Sequence, residues 1–170
     1  MSAPGIEGYG EVPSIRRRLA AMAYEAALLS AVAFFAGVLF LFVSAGREAA
    51  GWLRYAQQAY LLAVFAAYFL WCWLRGGQTL AMKAWRIRVV APGHARLPPR
   101  IALLRFLYAA LFVGAFALAL AASFLHRNPW LAFLTLVPAG MGLGWALFDR
   151  ERQFLHDRLA GTRLVLVPRR

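Results

Sequence analysis

The sequence predicts an all-α integral membrane protein: a four-helix transmembrane bundle with a short interfacial helix and a small two-stranded β ribbon. Three observations carry this prediction. The 170 residues are 62% hydrophobic and only 15% charged, with a mean hydropathy of +0.60, a composition whose natural solvent is lipid. Four apolar segments, at residues 19–43, 52–74, 101–125 and 130–148, each approach or exceed the ~20 residues that cross about 30 Å of hydrocarbon. The formal net charge of +12 sits mostly in the gaps between those segments, as expected of topogenic signals and of contact with anionic lipid headgroups, and not of a nucleic-acid surface.

The first segment is longer than a signal-peptide core and three more follow it, so it reads as a retained helix; the VSAG at its end resembles a cleavage site only faintly. Orientation follows from the basic residues. Arg16, Arg17 and Arg18 precede the first span. Arg75, Lys83, Arg86, Arg88, Arg96 and Arg100 lie between the second and third, and Arg150, Arg152, Arg158, Arg163, Arg169 and Arg170 follow the fourth. These are fifteen of the nineteen Lys and Arg residues. The positive-inside rule therefore puts both termini and the long middle loop in the cytoplasm, giving a multi-pass protein of a bacterial inner membrane. Residues 1–14 read as a tail, 15–167 as a single membrane domain and 168–170 as a short C-terminal tail.

Trp52, Trp71, Trp73, Trp130 and Trp145 fall near span ends, as an aromatic belt predicts. Cys72 lies inside an apolar run and, alone, forms no intramolecular disulfide. In the middle loop, the turn Gly76-Gly77-Gln78 leads into TLAMKAW, an amphipathic turn of interfacial helix, then into the strand-like RIRVV ended by Pro92-Gly93. TRLVLV, from Thr162 to Val167, is a second β-branched stretch on the same predicted side. The two can pair, although an isolated two-stranded ribbon is marginal.

The chemistry is concentrated at one end of the predicted bundle. Glu25 follows Arg18 by seven residues, nearly the same helix face and about 10.5 Å further along the axis. A carboxylate inside a span is costly and needs a partner or a wet cavity. Arg105, early in the third span on the same cytoplasmic side, is the expected partner, by a bidentate contact to Glu25. Asp149 at the end of the fourth span and Asp157 beyond it complete a cluster of Glu25, Arg18, Arg105, Asp149 and Asp157 in one leaflet. Asp157, before a Gly-Thr turn, also suits a backbone cap.

RRLAAMAYE, RGGQTLAMKAWRIRVV, LLRFL and FDRERQFLHDRLAGTRLVLV together resemble the RDD family of bacterial membrane proteins over about residues 14–167. The resemblance implies that the family's arginine is Arg18, its in-span acid Glu25 and its later aspartate Asp157. Glu25 stands where the family pattern has aspartate, which lengthens the side chain by one methylene and keeps the charge. The resemblance implies the membrane architecture and suggests transport, without a substrate.

Other constellations are bland. His94, His126 and His156 show no metal spacing. Gln57 and Gln58 suit hydrogen bonding between helices, and Gly140-x-x-x-Gly144 suits close helix packing or dimerisation. No G-x-S-x-G elbow, phosphate loop or H-E-x-x-H is present. Glu25 and Asp149, at different depths, make a poor protease pair. The sequence therefore predicts a non-enzymatic protein without cofactor or metal that moves a cation, proton or small ligand, with an oligomer expected because four short spans enclose little space. The rival is a structural or accessory protein whose charge cluster holds the bundle and whose basic face binds lipid or a partner protein.

Overall fold

A computed structural model describes residues 10–44, 51–114, 130, 144–146, 148–149 and 153–168. Helix α1 (Ile15–Val43) starts at Ser14, whose side chain accepts from the Arg17 amide, satisfying one of the donors a helix N-terminus leaves open. Its 29 residues extend about 43 Å, more than the hydrocarbon thickness. It shows large apolar side chains around its surface, Phe34, Phe35 and Phe42 among them. Helix α2 (Gly51–Gly76) has 26 residues and is also long and apolar enough to cross a membrane. In both helices only 6% of the most apolar window is buried. The core helix of a water-soluble domain would be mostly covered, so lipid is the natural solvent of these surfaces.

Gly77 stops α2 with φ +67°, its amide returning to the Trp73 carbonyl at 2.9 Å, the left-handed end that glycine tolerates without a Cβ penalty. Thr79 then caps α3 (Leu80–Ala84), the short helix expected in TLAMKAW, by accepting from the Met82 amide at 3.2 Å. Strand β1 (Ile87–Val90) follows. Helix α4 (Pro99–Ala109) begins with proline at its first position and widens into a π-turn at Ala110–Gly114. Helix α5 (Leu155–Leu159) and strand β2 (Arg163–Leu166) close the described chain.

The expected ribbon forms: β1 and β2 pair antiparallel, Ile87 opposite Leu166 and Val89 opposite Leu164. Its outer edges are also occupied. Val89 donates to the Gly77 carbonyl at 2.8 Å, and Leu166 donates to the Glu11 carbonyl at 2.7 Å. Ile87, Val89 and Leu164 enter one cluster with Ala21 of α1, Trp73 of α2, Met82 of α3, Phe106 of α4 and Phe154. That packing gives the ribbon the support a free hairpin lacks. The buried core therefore lies at the α3 and ribbon end of the long helices.

One expectation changes. Trp73 is only 3% exposed within the core, so it does not belong to an aromatic belt; Trp52, Trp71 and Trp130 are well exposed. The expected third span is described from Pro99 to Gly114. Its remainder, nearly all of the expected fourth span, His126 and Gly140 lie outside the described residues.

Candidate functional site

The five charged residues expected to cluster fall into distinct groups. Glu25, one and a half to two turns into the apolar part of α1, is half-buried and faces α2 and α3. Its Oε1 accepts from the Tyr68 hydroxyl at 2.7 Å, and its Oε2 accepts from the Thr79 hydroxyl. Thr79 is thereby used twice, since the same oxygen accepts from the Met82 amide to cap α3. Two hydroxyl donors satisfy the carboxylate without a cation. No Lys or Arg lies within 4.0 Å of Glu25 among the described residues.

Arg105 is therefore not the partner of Glu25. Its Nε and Nη2 reach Oδ1 of Asp157 at 2.9 and 2.7 Å, and both side chains are buried. The reason is the position of α5, which packs against α4 and sets Asp157 beside the guanidinium. The indole of Trp73 closes the other side, with Arg105 Cζ 4.3 Å from its ring centroid, a cation–π contact in a dewatered site. Asp157 Oδ2 is buried and has no hydrogen-bond partner among the described residues.

Thr162 completes the far side of the aspartate. Its amide donates to the Asp157 carbonyl at 2.9 Å, and its hydroxyl lies 3.3 Å from that carbonyl and 3.5 Å from Oδ1. The Asp157 side chain therefore does not cap the turn, as its carboxylate accepts from no backbone amide among the described residues. The residue organises the Gly161-Thr162 turn through its backbone while its side chain holds Arg105.

Arg18 is 1% exposed and turns away from Glu25. Its Nε donates to the Pro13 carbonyl at 3.0 Å, and its guanidinium lies 5.4 Å from the centroid of Phe154. Phe154 in turn stacks on His156 at 5.7 Å, and His156 Nε2 is 3.6 Å from Asp157 Oδ1. Burial holds the His156 pKa below its ordinary value; nearby Asp157 opposes this and Arg105 reinforces it. Asp149 forms a third group. Its Oδ2 accepts from the Gln153 amide at 2.9 Å, and its Oδ1 lies 3.9 Å from Arg158 Nε.

Tyr68, Thr79, Trp73, His156 and Thr162 were not singled out by sequence as partners of these charges. Thr79 carried a usable signal, as a threonine directly before an apolar run is a typical helix cap. Tyr68 carried only the general one that a buried tyrosine hydroxyl finds a partner. No group of three metal-ligating side chains occurs among the described residues.

No curated protein and no solved structure matches this chain. The family model described as RDD family matches residues 12–161, a stretch that includes Arg18, Glu25, Arg105, Asp149 and Asp157. With two apolar helices of membrane-crossing length, the chain is a small membrane protein and belongs to the RDD family.

Proposed function

We propose that this protein is a non-enzymatic, multi-pass protein of a bacterial inner membrane that moves a proton, cation or small ligand, with Glu25 as the group that binds it. The observation that carries the reading is the environment of Glu25. A carboxylate within a span is held by Tyr68 and Thr79 hydroxyls with no cationic partner among the described residues, so its charge is available to a mobile cation or proton. In this reading residues 15–167 form one domain of four spans with both termini in the cytoplasm, supported by the distribution of basic residues. The exposed basic residues of the ribbon end meet anionic headgroups, and the transporting unit is an oligomer.

The test is flux into liposomes containing the purified protein, under imposed proton and monovalent-cation gradients. Glu25→Gln should keep its folded stability and lose the flux. Flux that persists in Glu25→Gln, or none from the unaltered protein under any gradient, sinks the proposal.

One observation favours the second reading, a structural or accessory role. Arg105 and Asp157 form a buried ion pair, the kind of contact that registers helices and does not change state easily. Under that reading Glu25→Gln loses stability and no flux is found.

A further inference from the structure

Between α1 and α2 runs an open apolar groove of about 500 Å³. Leu28, Phe35 and Leu39 line one wall, Tyr60 and Tyr68 the other, and Leu80 of α3 closes one end. The helices are antiparallel here. Glu25 meets Tyr68 near the α3 end, and Phe40 meets Tyr60 at the other, with ring centroids 5.6 Å apart. The rise from Leu28 to Leu39 is about 17 Å, close to the thickness of one leaflet, about 15 Å, or half of the hydrocarbon core.

The α3 end of the groove is positive. Lys83 is exposed one helical turn beyond Leu80. Arg75 is exposed seven residues beyond Tyr68, hence on nearly the same face of α2, and is held over the Trp71 ring at 3.7 Å from its centroid. Neither cation pairs with an acid among the described residues. The nearby carboxylate of Glu25 is turned to the Tyr68 and Thr79 hydroxyls and pairs with neither cation.

We infer that this groove is a binding site for one anionic glycerophospholipid of the leaflet next to α3, its acyl chain between α1 and α2 and its phosphate at Lys83 and Arg75. Length and charge choose this occupant together. A chain of one leaflet fits the groove end to end, and the headgroup then falls where the two cations stand. A packed helix of a second copy would account for the apolar wall but not for the two exposed cations beyond its α3 end. The inference goes beyond the transport reading and does not depend on it, because its readout is bound lipid and not flux.

The experiment is native mass spectrometry of the full chain in mild detergent, titrated with phosphatidylglycerol or with phosphatidylcholine. The expected result is one phosphatidylglycerol per chain, retained about 10- to 30-fold more tightly than phosphatidylcholine. Substituting Arg75→Gln and Lys83→Gln together should bring phosphatidylglycerol down to the phosphatidylcholine level. Arg96→Gln with Arg100→Gln, two exposed cations of the β1–α4 loop and the start of α4, should leave the first lipid in place. Ala31→Trp, an exposed position on the groove wall, should displace both lipids, with Val32→Phe as a second filling variant and thermal melting as the check on folding. Equal retention of the two lipids by the unaltered protein overturns the inference. So does retention that survives in folded Ala31→Trp and Val32→Phe, or a lipid-free dimer.

Discussion

Arg105 and Asp157 meet through a single oxygen, with Nε and Nη2 of the arginine both on Oδ1 at 2.9 and 2.7 Å, in a site that excludes water. This contact ties α4 to α5, 52 residues further along the chain. Its value lies less in the attraction itself, which roughly offsets desolvation, than in the cost of leaving either charge buried alone. Asp157→Ala and Arg105→Ala should therefore each destabilise by about 3–5 kcal/mol. The double variant should lose clearly less than the sum. Chemical unfolding in detergent, read as a double-mutant cycle, measures both; additive losses would show that the pair is not coupled.

The same contact marks where the sequence was legible. RIRVV and TRLVLV announced a ribbon through β-branching, and TLAMKAW announced α3 through its amphipathic pattern, because these signals are local. Which acid Arg105 would meet is not local. It depends on the rotation of α4 and on α5 folding back against it, so Glu25 and Asp157, both plausible by depth, could not be told apart by spacing. Trp73 was misread for the same reason: proximity to a span end suggests a belt, whereas only its packing against Phe69 and under Arg105 of α4 makes it interior. The π-turn at Ala110–Gly114 has no counterpart in the apolar pattern of ALFVG, whose residues fit an ordinary helix equally well.

His156 predicts a pH dependence. It lies outside the spans, and its folded pKa is below the ordinary 6.5, chiefly through burial. As the pH falls below 6.5 the unfolded chain takes up a proton that the native chain still refuses, so unfolding gains the advantage. The contribution is thus complete above pH 6.5 and is lost as the pH drops towards the folded value. The melting temperature should be flat from pH 8 to 7, by this single-site linkage, and decline from about pH 6.5 downwards. His156→Gln should flatten that decline. An unchanged acid slope in the variant would assign it to other groups.

Gly77 offers a test of the loop that ends α2. Its φ is +67°, and a Cβ there would lie 2.8 Å from the Val89 carbonyl oxygen, the residue whose amide bonds back to Gly77. Neither the backbone angle nor the spacing admits a side chain. Gly77→Ala should cost about 1–3 kcal/mol and loosen the β1 edge, seen as faster amide exchange at Val89. Gly93, also at positive φ (+80°) but with open space around it, should lose only the conformational part, about 1 kcal/mol.

Thr79 separates anchoring from function at Glu25. Its hydroxyl caps α3 through the Met82 amide and donates to Glu25, so Thr79→Ala removes both contacts, while Thr79→Ser keeps them. Losing a cap costs about 0.5–2 kcal/mol, which a domain of this size tolerates. Tyr68→Phe removes the other donor to Glu25 and leaves α3 capped. If Glu25 is a transport site, Tyr68→Phe should change flux or its pH profile with little loss of stability, and Thr79→Ser should behave as the unaltered protein. If Glu25 only fastens α3 to α1, Thr79→Ala should free α3 to exchange and proteolysis, and Tyr68→Phe should loosen the same segment to a lesser degree. The two patterns differ in where the effect appears, in flux or in the protection of α3, so measuring both on the same four proteins decides which role the carboxylate has.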